Sequence, residues 1–583
     1  MAERKKLTAE FCVVGAGLAG MCAALAAARS GIKTVLMHDR SLPGGNASSE
    51  IRMWVCGARG ENLREGGIIE ELLLENLYRN PGAVPALWDS VLYGALEYEK
   101  NLTLLLNCAC QSASVLPDGS IASVCGYQTT TQTFITVEAG YFADCSGDSV
   151  LAPLCGAEYR HGREAVSEFG ESLAQPERDR CTMGSSCLFQ ARQLRKKTTF
   201  TPPVWAKKFR SPEELPPYRG LLLEGLENFW WMETGGLGDT IADTEEHRHE
   251  LLELALGIWD YLKNYAPEKE KNAYWQLDWL GFLPGKRESR RYVGDYIVTQ
   301  QDVQSGGNFP DVIAYGGWTL DDHHPGGFYY PGMPTEFIEV KAPYALPYRA
   351  LYSVNVPNLF CAGRNISVSH TALSSTRVMA TCAILGQACG TAAALAVRNA
   401  LTPREVGTLR IKELQQLLLE NDCFLPGVQR QVPELTMRAA LQVSNRQDGE
   451  VLRNGFDRGD QTQTHCWSCQ SGDTAEYRFE SPQPVKRIRL VLDSDLNRPE
   501  KNIVALRTLD QPELKLPSQL LKSFVLSYQL RENGKWYKLA EFKDNHRRLI
   551  ILKDLDIEAL AVKLTVKSCW GKTAGGVFSF DLA

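Results

Sequence analysis

The first forty residues alternate between apolar runs and short polar breaks, and this pattern predicts a strand, a turn, a helix and a second strand. Residues 8–14 are apolar and rich in β-forming side chains, and the small-residue stretch LAGMCAALAAARSG is typical of a helix that ends at Gly31. The run KTVLMHD then returns to the strand pattern. Strands that alternate with helices indicate an α/β fold with a parallel sheet.

Three glycines occupy the turn between the first strand and the helix. Gly15, Gly17 and Gly20 have the spacing G-x-G-x-x-G, in which the glycines permit a sharp turn, backbone approach to a pyrophosphate and close helix–strand packing. Asp39 lies 19 residues past Gly20, where a carboxylate can accept the ribose hydroxyls, and His38 is the alternative there. The helix N-terminus would face the phosphates. The predicted nucleotide contacts here are Gly15, Ala16, Gly17, Leu18, Ala19, Gly20, Asp39 and Arg40.

A second glycine-rich segment, DRSLPGGNASSEIRMW, follows the second strand, and an NAD-binding domain has no general need for it. Further along, GYFADCSGDSVLAPLCGAEYR carries a D-x-x-G-D pattern, and residues 358–397 run from a strand ending in Ala-Gly-Arg into a long helix. In these segments the chain resembles the glutathione-reductase-like FAD superfamily, whose members place the second glycine segment against the flavin diphosphate and ribityl chain. The resemblance implies a Rossmann-type FAD-binding domain with FAD as cofactor. The contacts that it implies are Gly44, Gly45, Asn46, Ser48, Asp144, Gly147, Asp148, Gly363, Arg364 and Gly386.

The late helix can also be predicted from its own residues, without the resemblance. STRVMATCAILGQACGTAAALAV is small and apolar, and Gly386 and Gly390 lie one turn apart, which favours close packing against another element. The positive end of the helix dipole would stabilise negative charge at N1 and O2 of a reduced flavin.

More narrowly, the chain up to about residue 430 resembles a bacterial branch of FAD-dependent oxidoreductases. The resemblance rests on GGNASSEIR, ENFWWMETGGLGDTIADTEEHRHELLELALGIWDYLKN, GFLPGKRESRRYVGDY and the late helix segment, in that order. It implies the cofactor and leaves the substrate open. We predict an FAD-binding domain in residues 1–155 and 351–430, an inserted α+β substrate domain in 156–350, a linker in 431–449 and a β-sandwich in 450–583.

A dense charge run lies in GKRESRRYVGDY, with Lys286, Arg287, Arg290 and Arg291 around Glu288. One interpretation is a solvated surface. The other is anion capture, in which Arg290 or Arg291 holds a carboxylate, a sugar acid or the FAD diphosphate through bidentate hydrogen bonds.

The segment GGWTLDDHHPGGFYYPG contributes further candidates for proton transfer. His323 and His324 follow Asp321 and Asp322, and imidazole titrates near neutral pH. Adjacent histidines point in different directions, and no third ligand stands at a metal spacing, so we expect no metal site.

His370 is the strongest catalytic candidate, because it lies between the Ala-Gly-Arg strand end and the flavin-directed helix. It would hydrogen-bond the flavin or act as acid or base, and the alternative is a buried histidine that caps its loop. Arg364 is expected to contact the cofactor, Arg377 the substrate or a carboxylate at the helix start, and Arg349 the substrate. The predicted catalytic residues are His370, His324, His323, Arg290, Arg377 and Arg349.

From about residue 450 the pattern becomes alternating and β-rich, as in VKRIRLVLD, SFVLSYQL and AVKLTV. Short strands with frequent turns predict a β-sandwich, and the segment resembles a discoidin-type, galactose-binding-like module. The resemblance implies either carbohydrate binding through Trp467, Trp536 or Trp570, or a purely scaffolding role.

Composition limits the partners and the location. The 583 residues are 44% hydrophobic and 23% charged, with a net charge of −6, so we expect a soluble protein that binds neither nucleic acid nor membranes. No apolar run approaches the roughly 20 residues of a membrane span, and no secretory signal is evident. Seventeen cysteines, one Cys-x-x-Cys pair (Cys466 and Cys469) included, suit reduced buried thiols in a cytoplasmic protein.

The sequence therefore predicts an FAD-dependent oxidoreductase that transfers hydride between flavin N5 and a small polar substrate, such as a sugar or sugar acid. A flavin-dependent enoyl reductase or desaturase is the alternative reaction. A carbohydrate-binding or scaffolding protein with structural FAD is the alternative class. The electron donor or acceptor is unidentified, homo-oligomer formation is left open, and no separate NAD fold is visible.

Overall fold

The computed structural model describes residues 3–223, 228–460, 462–499, 503–571 and 574–583. Glu227, which belongs to one of the stretches that carry the family resemblance, lies outside the described residues. The chain divides into two compact units, each discontinuous in sequence. The first unit comprises residues 1–58, 82–414 and 500–513, and the second comprises residues 59–81, 415–499 and 514–583.

The strands and helices of the two units are numbered together in chain order. The strands are β1 (Glu3–Thr8), β2 (Phe11–Val14), β3 (Thr34–Met37), β4 (Leu102–Leu105), β5 (Cys108–Val115), β6 (Ile121–Gln128), β7 (Thr133–Glu138), β8 (Tyr141–Asp144), β9 (Tyr159–Arg160), β10 (Ser185–Ser186), β11 (Phe189–Gln193), β12 (Glu233–Thr234), β13 (Trp275–Leu280), β14 (Gly285–Lys286), β15 (Arg291–Tyr292), β16 (Val312–Gly316), β17 (Leu320–His323), β18 (Thr335–Ile338), β19 (Tyr344–Pro347), β20 (Leu359–Cys361), β21 (Ala440–Val443), β22 (Trp467–Cys469), β23 (Thr474–Val485), β24 (Ile488–Leu492), β25 (Leu506–Arg507), β26 (Leu521–Gln529), β27 (Trp536–Phe542), β28 (Leu549–Leu552), β29 (Ile557–Cys569) and β30 (Gly575–Leu582). The helices are α1 (Leu18–Arg29), α2 (Ile68–Arg79), α3 (Pro85–Glu97), α4 (Leu151–Cys155), α5 (Val166–Phe169), α6 (Thr244–Asp260), α7 (Lys269–Asn272), α8 (Gln300–Ser305), α9 (His370–Thr376), α10 (Met379–Asn399), α11 (Pro403–Leu409), α12 (Ile411–Glu420) and α13 (Glu434–Arg438).

A five-stranded parallel sheet in the order β20-β8-β2-β3-β4 organises the first unit. Its central strand β2 is buried at every position, as expected for a parallel strand covered on both faces. The carboxyl ends of β2, β3, β8 and β20 lie at one edge of the sheet, where ligands of doubly wound folds bind. This parallel sheet with helices confirms the predicted α/β class.

Helices α1 and α10 pack closely against each other through small residues. A Cβ on Gly386 would lie 2.0 Å from the carbonyl oxygen of Ala19, and one on Gly390 would lie 2.0 Å from that of Ala23. Within the described residues, α10 is the one helix long and apolar enough to cross a membrane, and 94% of its most apolar stretch is buried inside the protein. The structure therefore gives Gly386 a helix-packing role.

The flavin-directed segment contains two helices, whereas the sequence predicted one. The break falls after Arg377, because Val378 adopts an extended conformation and serves as the N-cap of α10. His370 consequently begins the short helix α9, and α10 begins nine residues later, at Met379.

The predicted substrate region of the first unit consists of small sheets. Strands β12, β10 and β14 form one sheet, β13, β11 and β25 form another, and three two-stranded sheets accompany them. Aromatic side chains from this region share a hydrophobic cluster, among them Phe229, Trp231 and Trp259. Strand β25 comes from the predicted sandwich segment and pairs in parallel with β11, so residues 500–513 depart from the predicted domain boundary.

The second unit contains two antiparallel sheets, β21-β23-β29-β26-β27 and β22-β30-β24-β28, which share one hydrophobic core. This is the arrangement of a β-sandwich. The predicted linker 431–449 instead holds α13 and the edge strand β21. Trp467 is fully buried in the core, so it is unavailable as a carbohydrate-binding loop residue.

Candidate cofactor and catalytic site

The first glycine turn has the steric properties that a nucleotide-binding turn requires. Gly15 has φ +100°, and a Cβ there would lie 2.5 Å from the Cα of Ser146. A Cβ on Gly20 would lie 1.8 Å from the carbonyl oxygen of Gly15, whereas one on Gly17 would meet only the Cα of Gly45, at 3.9 Å. Gly15 and Gly20 therefore pack tightly against backbone, whereas a Cβ at Gly17 would make only an ordinary van der Waals contact.

The second glycine turn contacts the first. The amide of Gly44 donates to the carbonyl of Ala16 at 2.7 Å, and Gly44 forms a parallel bridge with Gly17. Two other predicted contacts of this turn are engaged within the protein: Asn46 Nδ2 donates to the carbonyl of Lys286, and Ser48 Oγ donates to that of Gly45. The backbone of the two turns, rather than these side chains, is available to a ligand.

His38 joins the two turns. Burial and the neighbouring Arg40 lower its pKa to about 4, so the ring is neutral at neutral pH. Its Nδ1 accepts the amide proton of Ala16 at 3.2 Å, and its Nε2 donates to the carbonyl of Leu42 at 3.1 Å. Asp39 Oδ1 lies 3.2 Å from His38 Nδ1, but the side chain of Asp39 is 64% exposed, so of the two ribose candidates Asp39 is the one that can accept hydroxyls.

The two aspartates of the D-x-x-G-D pattern have different surroundings. Asp144 is fully buried and accepts hydrogen bonds from Ser146, Leu151 and Tyr292, which makes it a structural residue. Asp148 accepts from Lys286 Nζ, Ser289 Oγ and Arg364 Nη2 at 2.8, 2.8 and 2.7 Å. Burial would raise the pKa of Asp148, but Arg364 and Lys286 outweigh it and hold the pKa well below its usual value.

Arg364 lies directly over the glycine of this pattern. A Cβ on Gly147, whose φ is +78°, would lie 2.9 Å from Arg364 Nε. Gly363 has φ +113°, and a Cβ there would lie 3.4 Å from the Cβ of Ala19. These glycines let the carboxyl ends of β8 and β20 approach α1 and each other.

The residues at this edge fit FAD. The N-terminus of α1 has no side-chain cap and no acidic residue in its first turn, and the same holds for α10, so both ends can face negatively charged groups. At the break before α10, Thr376 Oγ1 and Arg377 Nε are buried without a hydrogen-bond partner in the described part of the chain. The bare glycine turns would hold the diphosphate, Asp39 the ribose and the α9–α10 break a polar edge of the flavin.

Beyond this edge, His370 is held between two carboxylates. Its Nδ1 lies 2.8 Å from Glu288 Oε2, and its Nε2 lies 3.1 Å from Asp322 Oδ1. Burial would lower the pKa of His370, but the two carboxylates outweigh it and raise the pKa to about 10. Because both ring nitrogens donate, His370 is an imidazolium with no nitrogen left for the predicted flavin or substrate contact.

His323 occupies an equivalent position on the opposite side of β17. Its Nδ1 lies 2.7 Å from Glu233 Oε2 and its Nε2 lies 3.3 Å from Asp321 Oδ1. Arg377 contacts Asp321 at 3.2 Å, and Arg287 contacts Glu233 at 3.3 Å. Successive strand residues point to opposite faces, which is why Asp321 contacts His323 while Asp322 contacts His370.

The charge run at residues 286–291 is largely buried, so the solvated-surface interpretation is wrong for most of it. Arg287, Glu288 and Arg291 are all buried. Arg291 contacts Glu288 and, at 2.7 Å, Glu164, and it also donates to a backbone carbonyl. Of the two predicted anion anchors, only Arg290 is left available, and it lines a cavity.

Two predicted catalytic residues stay outside the histidine–carboxylate chains. His324 stacks on Tyr330 with ring centroids 3.4 Å apart, and its Nδ1 accepts the amide proton of Gly326. Arg349 contacts Asp311 at 3.0 Å and its side chain is 40% exposed. Among the described residues, no group of three or more His, Cys, Asp or Glu side chains is placed to hold a metal ion.

Three acids of the site were missed by sequence reasoning or given no role. Glu164 accepts the backbone amide of His370 at 2.9 Å, Glu233 pairs with His323, and Glu288 pairs with His370. Glu233 and Glu288 stand in segments that carry the family resemblance, but the sequence assigns neither a role, and only long-range folding brings each of the three acids to a histidine. No signal in the sequence distinguishes them from the other acidic residues.

The parallel sheet, its two glycine turns and the uncapped helix ends define an α/β protein of the dinucleotide-binding class. The family model described as FAD dependent oxidoreductase matches residues 10–418, and the chain belongs to this family. It is an FAD-dependent oxidoreductase, and its cofactor is FAD. A comparison with curated proteins finds no match.

Solved structures similar to this chain include carbohydrate-binding modules. The family 32 module of EndoD from Streptococcus pneumoniae is 18% identical and covers 25% of this chain and 94% of its own, with a TM-score of 0.19. Chitosan-binding module 1 of a chitosanase/glucanase from Paenibacillus sp. IK-5 is 10% identical and covers 26% and 97%, also with a TM-score of 0.19. At these values the likenesses carry no conclusion about ligand or function.

Proposed function

We propose that this oxidoreductase transfers hydride between flavin and a small polar substrate, a sugar or sugar acid, and that Asp322 moves the accompanying proton. The observation that carries this proposal is the position of Asp322 at the outer end of the Glu288–His370–Asp322 chain. The side chain of Asp322 is 34% exposed, whereas those of His370 and Glu288 are 6% and 0% exposed. Asp322 is thus the member of the chain that a substrate can reach.

The carboxylate of Asp322 is ionised and has an oxygen available to accept a proton. Burial would raise its pKa, but the His370 imidazolium outweighs burial and lowers the pKa, so the group is ionised at neutral pH. Oδ1 accepts from His370 Nε2, and Oδ2 accepts no hydrogen bond from the described residues. Oδ2 would take the hydroxyl proton as the substrate carbon loses its hydride, and would return it in the reverse direction. FAD supplies the two-electron chemistry when bound.

His370 acts here as a positioning residue. Its two hydrogen bonds fix the orientation of the Asp322 carboxylate, and its positive charge stabilises that carboxylate in the ionised form. Glu288, in turn, is held by Arg291 and by the amide of Met183. The arrangement pre-orients the base before substrate arrives.

The substrate class can be tested by anaerobic mixing. The oxidised holoenzyme would be mixed with sugars and sugar acids, and the dithionite-reduced holoenzyme with enoates, while the flavin absorbance is followed. We expect loss of the oxidised flavin band with a sugar or sugar acid. Reoxidation by enoates without any reduction by the polar hydroxyl compounds would contradict the proposal and favour an enoyl reductase.

The role of Asp322 gives the first prediction. Asp322→Asn removes the base while keeping an oxygen for His370, so we expect flavin reduction by substrate to slow about 100-fold with FAD still bound. The measurement is stopped-flow absorbance under anaerobic conditions. Glu336→Gln is the matched control, because Glu336 is exposed and pairs opposite Asp322 in the β17–β18 register. Equal rates in the two variants would remove Asp322 from the reaction.

A further inference from the structure

A cavity of about 470 Å³ opens on the first unit. Three arginines and one histidine line it, namely Arg178, Arg180, Arg290 and His161, together with Tyr159 and two aspartates. The lining therefore has an excess of positively charged side chains. We call it the arginine cavity.

Both aspartates of the arginine cavity are already engaged. Asp179 accepts two hydrogen bonds from Arg163 Nε, at 3.1 Å each, and the amide proton of Cys181. Asp239 accepts the amides of Ile241 and Ala242 through Oδ1. Neither carboxylate lies within ion-pair distance of an arginine of the cavity in the described part of the chain. Burial would raise the pKa of Asp239, but these amides, together with the charges of His161 and Arg290, lower it.

Two of the arginines lack a directly bonded counter-charge. Arg178 has Glu168 at 3.9 Å, but Arg180 and Arg290 form no ion pair or side-chain hydrogen bond with any residue that the structure describes. The guanidinium of Arg290 lies over the ring of Tyr159, 5.5 Å from its centroid, which orients the cation without neutralising it. Two such guanidiniums in one cavity are suited to bidentate binding of an anion.

His161 supplies an independent indication of a ligand. Its Nε2 is buried and has no hydrogen-bond partner among the described residues. A buried polar atom without a partner is unfavourable, and a ligand oxygen that bonded to Nε2 would remove this cost. Burial lowers the pKa of His161, so the ring is neutral and can donate or accept one hydrogen bond there.

The polypeptide segment around His161 also supports the hydrogen-bonded side chains of Glu288, His370 and Asp322. His161 stands three residues before Glu164, whose carboxylate accepts the backbone amide of His370. Between them, the carbonyl of Gly162 accepts from Arg291. An anion bound at His161 would therefore lie next to the segment that positions the proposed base.

We propose that Arg180, Arg290 and His161 form the subsite for the anionic group of the substrate, a carboxylate or a phosphate. The identification of the bound anion as part of the substrate rests on the proposed function. The anion-binding property itself does not depend on it. A sugar acid or a sugar phosphate would place its anionic group here and its hydroxyls toward Asp322.

Calorimetric titration of the holoenzyme at constant ionic strength tests the subsite. The probes are inorganic phosphate, glucuronate and, as the neutral counterpart, glucose. We expect at least one anion to bind and glucose to bind more weakly, and the preferred anion identifies the group. Absence of binding by both anions, or equal binding by glucose, would overturn the inference.

Variants locate the binding. Arg180→Gln and Arg290→Gln should each weaken anion binding about tenfold or more, and Arg290→Lys, which keeps the positive charge, should weaken it less. Arg195→Gln is the control, because Arg195 is exposed and does not line the cavity. Wild-type affinity in both glutamine variants would refute the subsite.

The same titration separates this inference from the proposed reaction. Asp322→Asn should retain anion binding, since Asp322 does not line the arginine cavity. If that variant reduces flavin at the wild-type rate while Arg290→Gln loses anion binding, the proton role fails and the subsite stands. If anion binding is unchanged in the arginine variants while Asp322→Asn reduces flavin slowly, the subsite fails and the proton role of Asp322 stands.

Discussion

At the scale of single residues, the site depends on charges that the fold fixes in one ionisation state. His38 is buried and has one exposed acid nearby, Asp39, whose Oδ1 lies 3.2 Å from its Nδ1, but burial and Arg40 outweigh that acid and its ring is neutral. His370 is equally buried, but Glu288 and Asp322 flank it and its ring is cationic. Histidine is therefore neutral at the nucleotide turns and charged beside the proposed base. Burial alone would make both rings neutral, and the two flanking carboxylates make the difference at His370.

The charge of His370 gives a prediction for spectroscopy. In protein labelled with ¹⁵N-histidine, we expect both His370 nitrogens to remain protonated at about pH 8, since its pKa is raised to about 10. The exposed His249, 71% accessible, provides a reference signal in the same spectrum. A His370 ring that loses a proton below about pH 7 would contradict the two-carboxylate geometry.

The sign of the pH dependence follows from this raised pKa. The folded state holds the His370 proton more tightly than the unfolded chain, in which the histidine has its ordinary pKa of about 6.5. The protonated ring therefore stabilises the fold fully below about pH 6.5, and this contribution is lost as the pH rises toward about 10.

At the scale of elements, the contact between α1 and α10 links the two ends of the cofactor site. Helix α1 begins at the first glycine turn, and α10 begins at the α9–α10 break. Gly386 and Gly390 bring the helix backbones into direct contact, because any side chain there would overlap a carbonyl of α1. The spacing between the turn and the break is set by this contact.

Substitution of one packing glycine tests this dependence. Gly386→Ala places a Cβ 2.0 Å from the Ala19 oxygen, so we expect a loss of about 2 kcal/mol or more in the free energy of unfolding and lower FAD content. Denaturant unfolding and the flavin-to-protein absorbance ratio measure both. Gly94→Ala in α3 is the control, because nothing lies within 4 Å of the added Cβ, and it should stabilise by about 0.5–1 kcal/mol. Similar behaviour of the two variants would show that the helices separate freely.

At the scale of the whole molecule, neither compact unit is a continuous stretch of chain. Residues 59–81 precede most of the first unit in sequence but belong to the second, where Leu74 of α2 lies in the sandwich core. Glu70 of the same helix is buried and contacts Arg498 Nη2 at 2.5 Å. Folding of the second unit therefore requires a segment more than 300 residues away from its main part.

A fragment experiment tests this requirement. Residues 415–583 alone should unfold at lower denaturant concentration than the same fragment supplied with a peptide of residues 59–81, because the fragment lacks the Glu70–Arg498 ion pair and the packing of Leu74 in the sandwich core. Fluorescence-monitored unfolding measures the difference. A peptide carrying Glu70→Gln and Leu74→Ala is the matched control and should stabilise less. No effect of either peptide would mean that α2 is dispensable.

The sequence by itself determined the cofactor fold, because its features are local. Each of these features lies within one short segment: the glycine spacing, the continuous apolar strand and the small-residue helix. Steric rules for turns and helices are enough to predict them. The β-sandwich pattern was readable for the same reason, although its edge strand β21 fell in the predicted linker.

Only the tertiary structure decided the charges and partners of the site. The sequence singled out His370 but not Glu164 or Glu233, and it left Arg290 and Arg291 as equal candidates until burial and Glu164 engaged Arg291. It also could not show that residues 59–81 join the second unit. Ionisation, pairing and cavity lining depend on distances between residues far apart in sequence, and those distances exist only in the folded chain.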